Sequence, residues 1–320
     1  MVSLLKKSIY NIKTVAVTGA TGSLGIALIK ECIANGISVI AFVHRGSKNE
    51  NRVPDSKFVH KVYCSLEEME NLDVGEMTAD AFIHLAWGHT NRSVRNEIKP
   101  QIDNVKYSID SVILADRMKC KVYVGAGSQA EYGRKNEIIN EMTSVNPETA
   151  YGMAKLCSAQ MTRLECKKRG LRHVWPRIFS TYGPNTQDTS ILNYTIKELL
   201  QGKKPSLTGC GQIWDFLYVE DAARALLLLA DQGKDGETYC IASGKSLLMR
   251  EYIEITKNLI DHELSIGYGD IPYDTNTVMH LEADVNKIRN EVGFVPETGF
   301  EAGIRKTIDW AREYYKSWNY

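Results

Sequence analysis

The chain has 320 residues, of which 43% are hydrophobic, and its 39 basic side chains balance 39 acidic ones. This length and hydrophobic share suffice for one large domain with a sizeable core, alone or with a smaller lobe. The absence of a basic excess argues against nucleic acid or an anionic membrane as a partner. Any anion must then be bound by local backbone amides or a few side chains.

Cysteine usage and hydropathy indicate where the protein works. Seven cysteines are scattered along the chain, and none forms a C-x-x-C pair. This is typical of reduced thiols in a cytoplasmic protein. The longest apolar run, ALLLLA at 225–230, is too short to span a bilayer, and the N-terminus does not resemble a signal peptide. No metal site is predicted, because no cluster of metal ligands is present.

The first half of the chain alternates β-branched runs with helical patterns. Strands are predicted at 14–19, 38–45, 57–63, 81–86, 121–127 and 172–179, and helices at 24–36, 104–120 and 150–170. This alternation predicts an α/β fold, a Rossmann-type doubly wound parallel sheet with helices on both faces. The continuous apolar strands agree with a sheet that is buried on both sides. We expect this first domain to span residues 12–180.

The pattern changes after residue 180. Helices are predicted at 190–203, 220–233 and 247–262, with a strand near 216–219 and a terminal helix. These elements predict a smaller C-terminal α/β lobe over 181–320 that binds the substrate. Segments between about 213 and 245 are expected to return to the first domain.

The stretch TGATGSLG places Gly19, Gly22 and Gly25 between a predicted strand and a predicted helix. Glycines at these positions allow a tight turn, a close backbone approach to a pyrophosphate, and close packing of helix on strand. The free N–H groups of the helix and its dipole favour an anion without net positive charge. The stretch therefore predicts a dinucleotide site, the alternative being a glycine-rich turn without a ligand.

The end of the second strand bears on which dinucleotide is bound. An acidic residue there would bind the adenine ribose hydroxyls of NAD, but this strand ends with His44 and Arg45. Arg45 can pair with a 2′-phosphate, which favours NADP(H) over NAD(H). The alternatives are that Arg45 is a solvated side chain or stacks on the adenine.

Three residues form a candidate acid/base group. Ser128 follows the fifth strand, at the edge where a doubly wound sheet binds ligands. Tyr151 and Lys155 lie one helical turn apart on the next helix and share a face. A neighbouring ammonium and a nicotinamide cation would lower the pKa of the phenol, so that it can transfer protons near neutral pH. Ser128 would hold the same substrate oxygen, the alternative being a solvated Tyr–Lys pair.

The motifs also carry a family resemblance. In chain order they are TGATGSLG, HLA, DNV, GSQAEYG, YGMAK, RIFSTYGPN and WDFLYVEDAARA. From about Thr14 to about Ile308, the chain resembles the extended short-chain dehydrogenase/reductases, in the branch of the nucleotide-sugar epimerases, dehydratases and ketoreductases. The resemblance implies a nucleotide-sugar substrate, and a homodimer that pairs through helices 104–120 and 150–170.

The resemblance implies roles for individual residues. Tyr151 is the acid/base, Lys155 orients it and binds the nicotinamide ribose, and Ser128 positions the reacting hydroxyl or carbonyl. Asn193 matches a residue that contacts the nucleotide diphosphate of the substrate. The implied cofactor contacts are Gly19, Thr21, Gly22, Ser23, Leu24, Gly25, Leu85, Ala86 and Asn104, the last supporting the water network of the site.

The chain departs from the family pattern at two places. Members that dehydrate sugars at the 4,6 position carry Asp and Glu where this chain has Gln129 and Ala130, which makes a dehydratase the weaker interpretation. Gln129 is then a candidate substrate contact. Many relatives have a phosphate-binding arginine where this chain has Trp214. The phosphate would fall to Lys203, Lys204 or Arg224, or Trp214 would stack on a planar group, or only pack.

The sequence therefore predicts hydride transfer at a ring carbon, most simply C4, of a nucleoside-diphosphate sugar. The first hypothesis is a 4-keto-sugar reductase that uses NADPH, because the second strand lacks an acidic residue at its end. The alternative is a 4-epimerase of the UDP-glucose 4-epimerase kind with the same acid/base residues. A non-catalytic dinucleotide-binding sensor is less consistent with the chain, because both Tyr151 and Lys155 are present.

Overall fold

The computed structural model describes residues 10–91, 93–186 and 190–316. Its strands are β1 (Thr14–Thr18), β2 (Ser38–Val43), β3 (Val59–Tyr63), β4 (Ala81–His84), β5 (Val122–Gly125), β6 (Gly127–Ser128), β7 (Arg172–Ile178), β8 (Ser180–Tyr182), β9 (Ser206–Leu207), β10 (Ile213–Tyr218), β11 (Glu237–Ile241), β12 (Ser246–Leu248), β13 (Gly267–Tyr268) and β14 (His280–Leu281). Its α-helices are α1 (Ser23–Ala34), α2 (Ile98–Arg117), α3 (Ala150–Arg169), α4 (Ile191–Leu200), α5 (Val219–Gln232), α6 (Met249–Ile260), α7 (Asn286–Val292) and α8 (Phe300–Lys316).

The central sheet is parallel, with the strand order β11-β7-β5-β4-β1-β2-β3. The short strand β6 adds to β7 beyond the end of β5. The order reverses between β1 and β4, where the chain leaves the two strands in opposite directions along the sheet. A crevice opens outside the carboxyl ends of the strands at such a point, and ligands bind there.

Alternate residues of each central strand pack on opposite faces of the sheet. Val15 and Val17 belong to a core with Leu28 of α1 and Leu226 of α5, whereas Ala16 belongs to a second core with Val112 of α2. Helix α1 lies against α5, and α2 lies against α3. Both faces are therefore covered, which confirms the predicted Rossmann-type sheet.

Most predicted elements of the first half are observed within a few residues of their predicted ends. The largest difference is α2, which begins at Ile98 rather than at 104. Pro100 lies in its first turn, where a proline costs little because the N–H groups of that turn have no intrahelical partner.

A smaller layer follows the central sheet. Strand β10 pairs with β8, β12 and β14, and β9 pairs with β13. Their apolar side chains form a third core with α4, α6 and α8. Strand β11 lies in the central sheet beside β7, and α5 packs on α1. The division of the chain into two domains at residue 180 stays a prediction. Residues 187–189 and 317–320 of the predicted lobe lie outside the described part of the chain.

The structure shows the state of the cysteines and the character of the helices. All seven cysteines are free thiols, and six of them are buried. In the described part of the chain, no helix is both long enough and apolar enough to cross a membrane.

Asp221, in the first turn of α5, attaches the segment before α8 to the central domain. Its buried carboxylate accepts hydrogen bonds from the main-chain N–H groups of Glu297 and Thr298, at 3.0 and 2.9 Å. It also pairs with Arg224 at 2.8 Å. Removing the carboxylate would leave two partly buried N–H donors without a partner and would break the buried ion pair with Arg224, whose remaining partners are Glu297 and the Val295 oxygen. Such losses are costly.

We therefore expect Asp221→Ala to lower the free energy of unfolding by about 3 kcal/mol, measured by urea denaturation. Asp309→Ala is the matched control, because its carboxylate is 64% exposed and bonds only Arg312 on the same helix. The control should change stability by less than about 0.5 kcal/mol. Equal losses in the two variants would contradict the role given to Asp221.

Candidate active site

A cavity of about 590 Å³ opens at the carboxyl ends of β1 and β4. Its walls come from the glycine turn, the segment after β4, the end of β2 and the start of α3. The predicted site residues that line it are Gly19, Thr21, Gly22, Ser23, Leu24, Gly25, His44, Leu85, Ala86, Ser128, Tyr151 and Lys155.

The glycine turn has the space that a dinucleotide phosphate needs. Gly19 has φ of +71°, and a Cβ atom there would lie 2.8 Å from the main-chain nitrogen of Ala86, so no other residue fits. Gly22 is the N-cap of α1 and provides no side chain to satisfy the first N–H groups of the helix. These groups face the cavity and can donate to a phosphate, so the turn fits the predicted dinucleotide.

Ser128 is held in place by its own turn. Its hydroxyl accepts a hydrogen bond from the N–H of Ala130 at 3.2 Å, and its own N–H donates to Glu131 at 2.8 Å. Tyr151 lies in the first turn of α3, whose N-cap Thr149 accepts from the N–H of Gly152 at 3.0 Å. The Ser128 hydroxyl lies near the Tyr151 phenol and acts to lower its pKa. Hydrogen bonds at the starts of their own turns therefore fix the main chain at both Ser128 and Tyr151.

The Tyr151 phenol is neutral in this arrangement. Burial raises its pKa above the ordinary value of 10.0, and the Ser128 hydroxyl acts in the opposite direction. The Lys155 ammonium, which we expected to lower this pKa, lies 5.7 Å from the centre of the Tyr151 ring and is directed elsewhere. The phenolate must therefore be favoured when further positive charge enters the cavity.

Lys155 is buried and bonds to two uncharged groups. Its Nζ atom donates to the main-chain oxygen of Ala126 at 2.7 Å and lies 3.6 Å from the centre of the Trp87 indole. An aromatic face attracts a cation, and more strongly where water is excluded. Burial nevertheless lowers the pKa of Lys155 to about 7, although the Glu131 carboxylate acts in the opposite direction.

Trp87 is a site residue that the sequence analysis missed. Besides covering Lys155, it meets the Tyr151 ring edge-to-face at 6.0 Å. Its Nε1 donates to Gln101 of α2 at 2.9 Å, and Asn104 accepts from the N–H of Gly88 at 2.9 Å. The signal was its position, directly after Leu85 and Ala86 at the carboxyl edge of the sheet, where large side chains reach the ligand crevice.

Glu131 carries a buried negative charge beneath Ser128. Its carboxylate accepts from Arg177 Nε at 2.7 Å and from Trp175 Nε1 at 3.0 Å, besides the N–H of Ser128. The side chain is fully buried. All of its near partners are donors, so Glu131 fixes the Ser128 turn and does not face a substrate.

A second cavity of about 660 Å³ lies between the central sheet and the smaller layer. Gln129 and Trp214, which were predicted as substrate contacts, line it together with Ala130. Trp214 is fixed by a hydrogen bond from its Nε1 to Ser180 at 2.8 Å. Ser128 and Tyr151 line the first cavity. Gln129 and Ala130, which follow Ser128, and Thr149, the N-cap of α3, line the second.

Three predicted contacts do not lie on the wall of either cavity. Arg45 is exposed and its charge acts on Tyr63 and Glu68, whereas its neighbour His44 lines the first cavity. Asn104 holds the main chain of Gly88 instead of facing the cavity. Asn193 is buried and donates to the main-chain oxygen of Thr186 at 3.0 Å, so it shapes the loop before α4.

The buried His84 of β4 has a structural role. Its Nδ1 is hydrogen bonded to the Thr18 hydroxyl at 2.8 Å, and burial lowers its pKa to about 3. The imidazole is therefore neutral at physiological pH. Among the described residues, no group of three His, Cys, Asp or Glu side chains converges on a point where a metal could bind.

The doubly wound sheet, the glycine turn and the Ser–Tyr–Lys group together define an NAD(P)-binding enzyme of the extended short-chain dehydrogenase/reductase type. A family model, the NAD dependent epimerase/dehydratase family, matches residues 15–242. The chain belongs to this family, which confirms the family and the kind of enzyme predicted from the motifs.

Named relatives span several activities within the family. The chain is 27% identical over 332 residues to dTDP-glucose 4,6-dehydratase 1 of Escherichia coli strain K12, with 92% of each chain covered. A UDP-N-acetylglucosamine 4-epimerase from Methanobrevibacter ruminantium, solved with UDP-N-acetylmuramic acid, superposes with a TM-score of 0.85 at 22% identity, over 97% of this chain and 100% of that one. RMD from Pseudomonas aeruginosa, solved with NADPH, gives 0.79 at 21% identity, over 94% and 99%.

The pKa of Lys155 leads to a pH dependence. Its ammonium is present below about pH 7 and is lost as the pH rises through that value, so affinity for the ribose of a dinucleotide should fall between pH 6 and pH 9. Fluorescence titration with NADH measures this, because the charge of NADH is constant in that range. Lys155→Arg keeps its charge and should give a flat profile. The same decline in both proteins would contradict this assignment.

Proposed function

We propose that the protein transfers hydride at C4 of a nucleoside-diphosphate sugar, as a reductase of 4-keto sugars. The observation that carries the proposal is the convergence of Ser128, Tyr151 and Lys155 on the wall of the dinucleotide cavity, next to a second cavity of about 660 Å³. The second cavity is large enough for a sugar and a nucleotide.

The side chains divide the chemistry between them. The bound nicotinamide supplies the hydride to C4. The Tyr151 phenol gives its proton to the oxygen at C4, and the Ser128 hydroxyl donates a hydrogen bond to the same oxygen. Lys155 then favours the resulting phenolate, because its ammonium is the nearest cation on the same helix. Trp87 excludes water from this cation.

Dehydration at the 4,6 position needs an additional acid and base near the neighbouring carbons. Gln129 and Ala130 line the second cavity where such groups would act, and neither can transfer a proton at neutral pH. The carboxylate of Glu131, the residue after Ala130, lines neither cavity and is bonded to Arg177 and Trp175. These contacts support a reaction without dehydration.

NADPH is the proposed reductant. The support is the end of β2, where His44 lines the cavity and no carboxylate is available for the ribose hydroxyls of NAD. Arg45, which is exposed next to His44, is the cation at this strand end that would attract a 2′-phosphate.

Epimerisation at C4 is the second candidate, favoured by the fold similarity to a 4-epimerase. The same residues serve it, with Tyr151 first accepting the hydroxyl proton and then returning it.

The assay combines purified protein with candidate nucleoside-diphosphate 4-keto sugars and NADPH or NADH, and follows absorbance of the reduced nicotinamide. We expect stoichiometric consumption of NADPH, and slower consumption of NADH. Tyr151→Phe should lower kcat by about 100-fold or more with unchanged cofactor affinity, because only the proton is removed. Tyr107→Phe, which loses a hydroxyl outside both cavities, is the control and should retain activity.

If a nucleoside-diphosphate sugar is isomerised without net change in the cofactor, the protein is an epimerase and the reductase proposal is wrong. Full activity of Tyr151→Phe would contradict both candidates.

We further propose a cytoplasmic homodimer that pairs through α2 and α3. The unpaired cysteines support the location. Both helices expose large apolar side chains, among them Ile98 (69%), Ile102 (61%), Met161 (47%) and Leu164 (58%). A monomer rarely leaves such a face uncovered.

Leu164→Glu should shift the protein from dimer to monomer in sedimentation velocity, because a charge would be buried in the interface. Ile138→Glu alters an apolar side chain of similar exposure (54%) outside these helices and should leave the dimer intact. A wild-type protein that sediments as a monomer would refute the pairing.

A further inference from the structure

The second cavity has an uneven distribution of charge. Its wall from the smaller layer includes Trp214, Phe216, Gln212 and Asn276, and its one ionisable group among the described lining residues is the acid Asp274. A diphosphate carries at least two negative charges, and binding it requires cations or free N–H groups. In the described part of the chain, the smaller layer offers the cavity no cation.

The lysines and the arginine that the sequence suggested for this task lie elsewhere. Lys203 donates to Gln201 at 2.9 Å, and Lys204 pairs with Asp270 at 2.9 Å. Arg224 pairs with Asp221, the residue that attaches the segment before α8 to the central domain. Since none of the three lines the second cavity, they are excluded as its phosphate ligands.

Two arginines reach the cavity from the side of the central sheet. They are Arg95, in the segment between β4 and α2, and Arg134, in the loop between Ser128 and α3. They are the cations among the described residues that line the cavity.

The position of Arg95 is fixed by the start of α3. Its main-chain oxygen accepts the N–H of Tyr151 at 3.1 Å, and the next residue, Asn96, accepts the N–H of Ala150 through its side chain at 3.2 Å. These bonds satisfy two N–H groups of the first turn of α3, which have no partner within the helix. The segment is therefore tied to the helix that carries the catalytic phenol.

The Arg95 guanidinium is available for a ligand. It makes no hydrogen bond or ion pair with any residue that the structure describes, and it is only partly exposed. It also lies close enough to Tyr151 to act electrostatically on the phenol. An anion held by Arg95 would thus lie close to the cation that acts on the Tyr151 phenol.

Arg134 has partners that leave part of its guanidinium free. Its Nε pairs with Glu148 at 2.6 Å, and one terminal nitrogen donates to the main-chain oxygen of Thr275 at 3.1 Å. Guanidinium has five N–H donors, so further donors remain for an anion. The pair is partly exposed, with 43% of the arginine side chain accessible, and can exchange a carboxylate for a phosphate at small cost.

We propose that Arg95 and Arg134 bind the diphosphate of the substrate from the sheet side, in place of a cation from the smaller layer. The inference rests on the proposed function, because it assumes a nucleoside-diphosphate sugar. Two planar guanidinium groups match the charge of a diphosphate and can bind its oxygens in pairs. Trp214 then presents an aromatic face on the opposite wall.

The test uses isothermal titration of the full chain with UDP, dTDP, CDP and GDP, followed by the tightest of these in the variants. Arg95→Gln and Arg134→Gln should each weaken binding by about 10-fold or more, as expected for the loss of charged hydrogen bonds. The corresponding nucleoside, which lacks phosphates, should bind wild type and variants equally. Lys203→Gln removes a lysine outside the cavity and should have no effect.

The Glu148→Gln variant distinguishes the effect of losing the Arg134 guanidinium from the effect of losing its ion pair with Glu148. It breaks the Arg134–Glu148 pair but keeps the guanidinium, so nucleoside-diphosphate binding should be unchanged or tighter. If Glu148→Gln weakens binding as much as Arg134→Gln does, then Arg134 acts through the pair and the proposal is wrong for that residue. Circular dichroism melts of each variant establish that it is folded.

Other outcomes would overturn the proposal and identify the alternative. Unchanged affinity for the nucleoside diphosphate in both arginine variants would exclude them as phosphate ligands. If Arg95→Gln loses only UDP-glucuronate and retains UDP, Arg95 binds a sugar carboxylate instead. If the wild-type protein binds none of the four nucleoside diphosphates, the proposed function itself fails.

Discussion

The Lys155 ammonium is buried, and a buried charge must have polar partners or the fold loses stability. No carboxylate among the described residues contacts this cation, so the partners are the Ala126 oxygen and the Trp87 ring. Ala126 follows β5, and Trp87 follows β4 and is held by Gln101 of α2. The need to satisfy one cation thus fixes the relative positions of two strand ends and two helices at the carboxyl edge of the sheet.

A second buried charge lies beside the first. Glu131 is neutralised by Arg177 and also acts electrostatically on Lys155 and Tyr151. Because this carboxylate is already paired, it stabilises the Lys155 ammonium only weakly, and the pKa of the lysine remains low. The phenol of Tyr151 stays neutral until further positive charge arrives. Only an oxidised nicotinamide ring carries such a charge, so an oxidised ring would favour the phenolate, whereas a reduced ring would leave the phenol protonated.

Local geometry explains which parts of the site could be predicted from the sequence. The glycine turn depends on backbone sterics within eight residues, and Tyr151 and Lys155 share a face because of the helical period. Trp87, Arg95 and Glu131 depend on contacts between distant segments, which no short pattern encodes. The end of β2 shows the limit most clearly. His44 lines the cavity, whereas Arg45, the residue that suggested a 2′-phosphate, does not line it.

The two walls of the second cavity differ in chemistry. The sheet side carries Gln129 and the arginines Arg95 and Arg134, next in the chain to the segments that hold Ser128 and Tyr151 on the wall of the first cavity. The wall of the smaller layer carries aromatic and amide groups, with Trp214 fixed on Ser180. Ser128 and Tyr151, to which we assign the proton transfer, do not line that wall, so we infer that its side chains can change to suit another sugar or base without disturbing the proposed reaction. A fold of this kind can therefore host several sugar reactions, and the wall opposite the catalytic residues selects among substrates rather than among mechanisms.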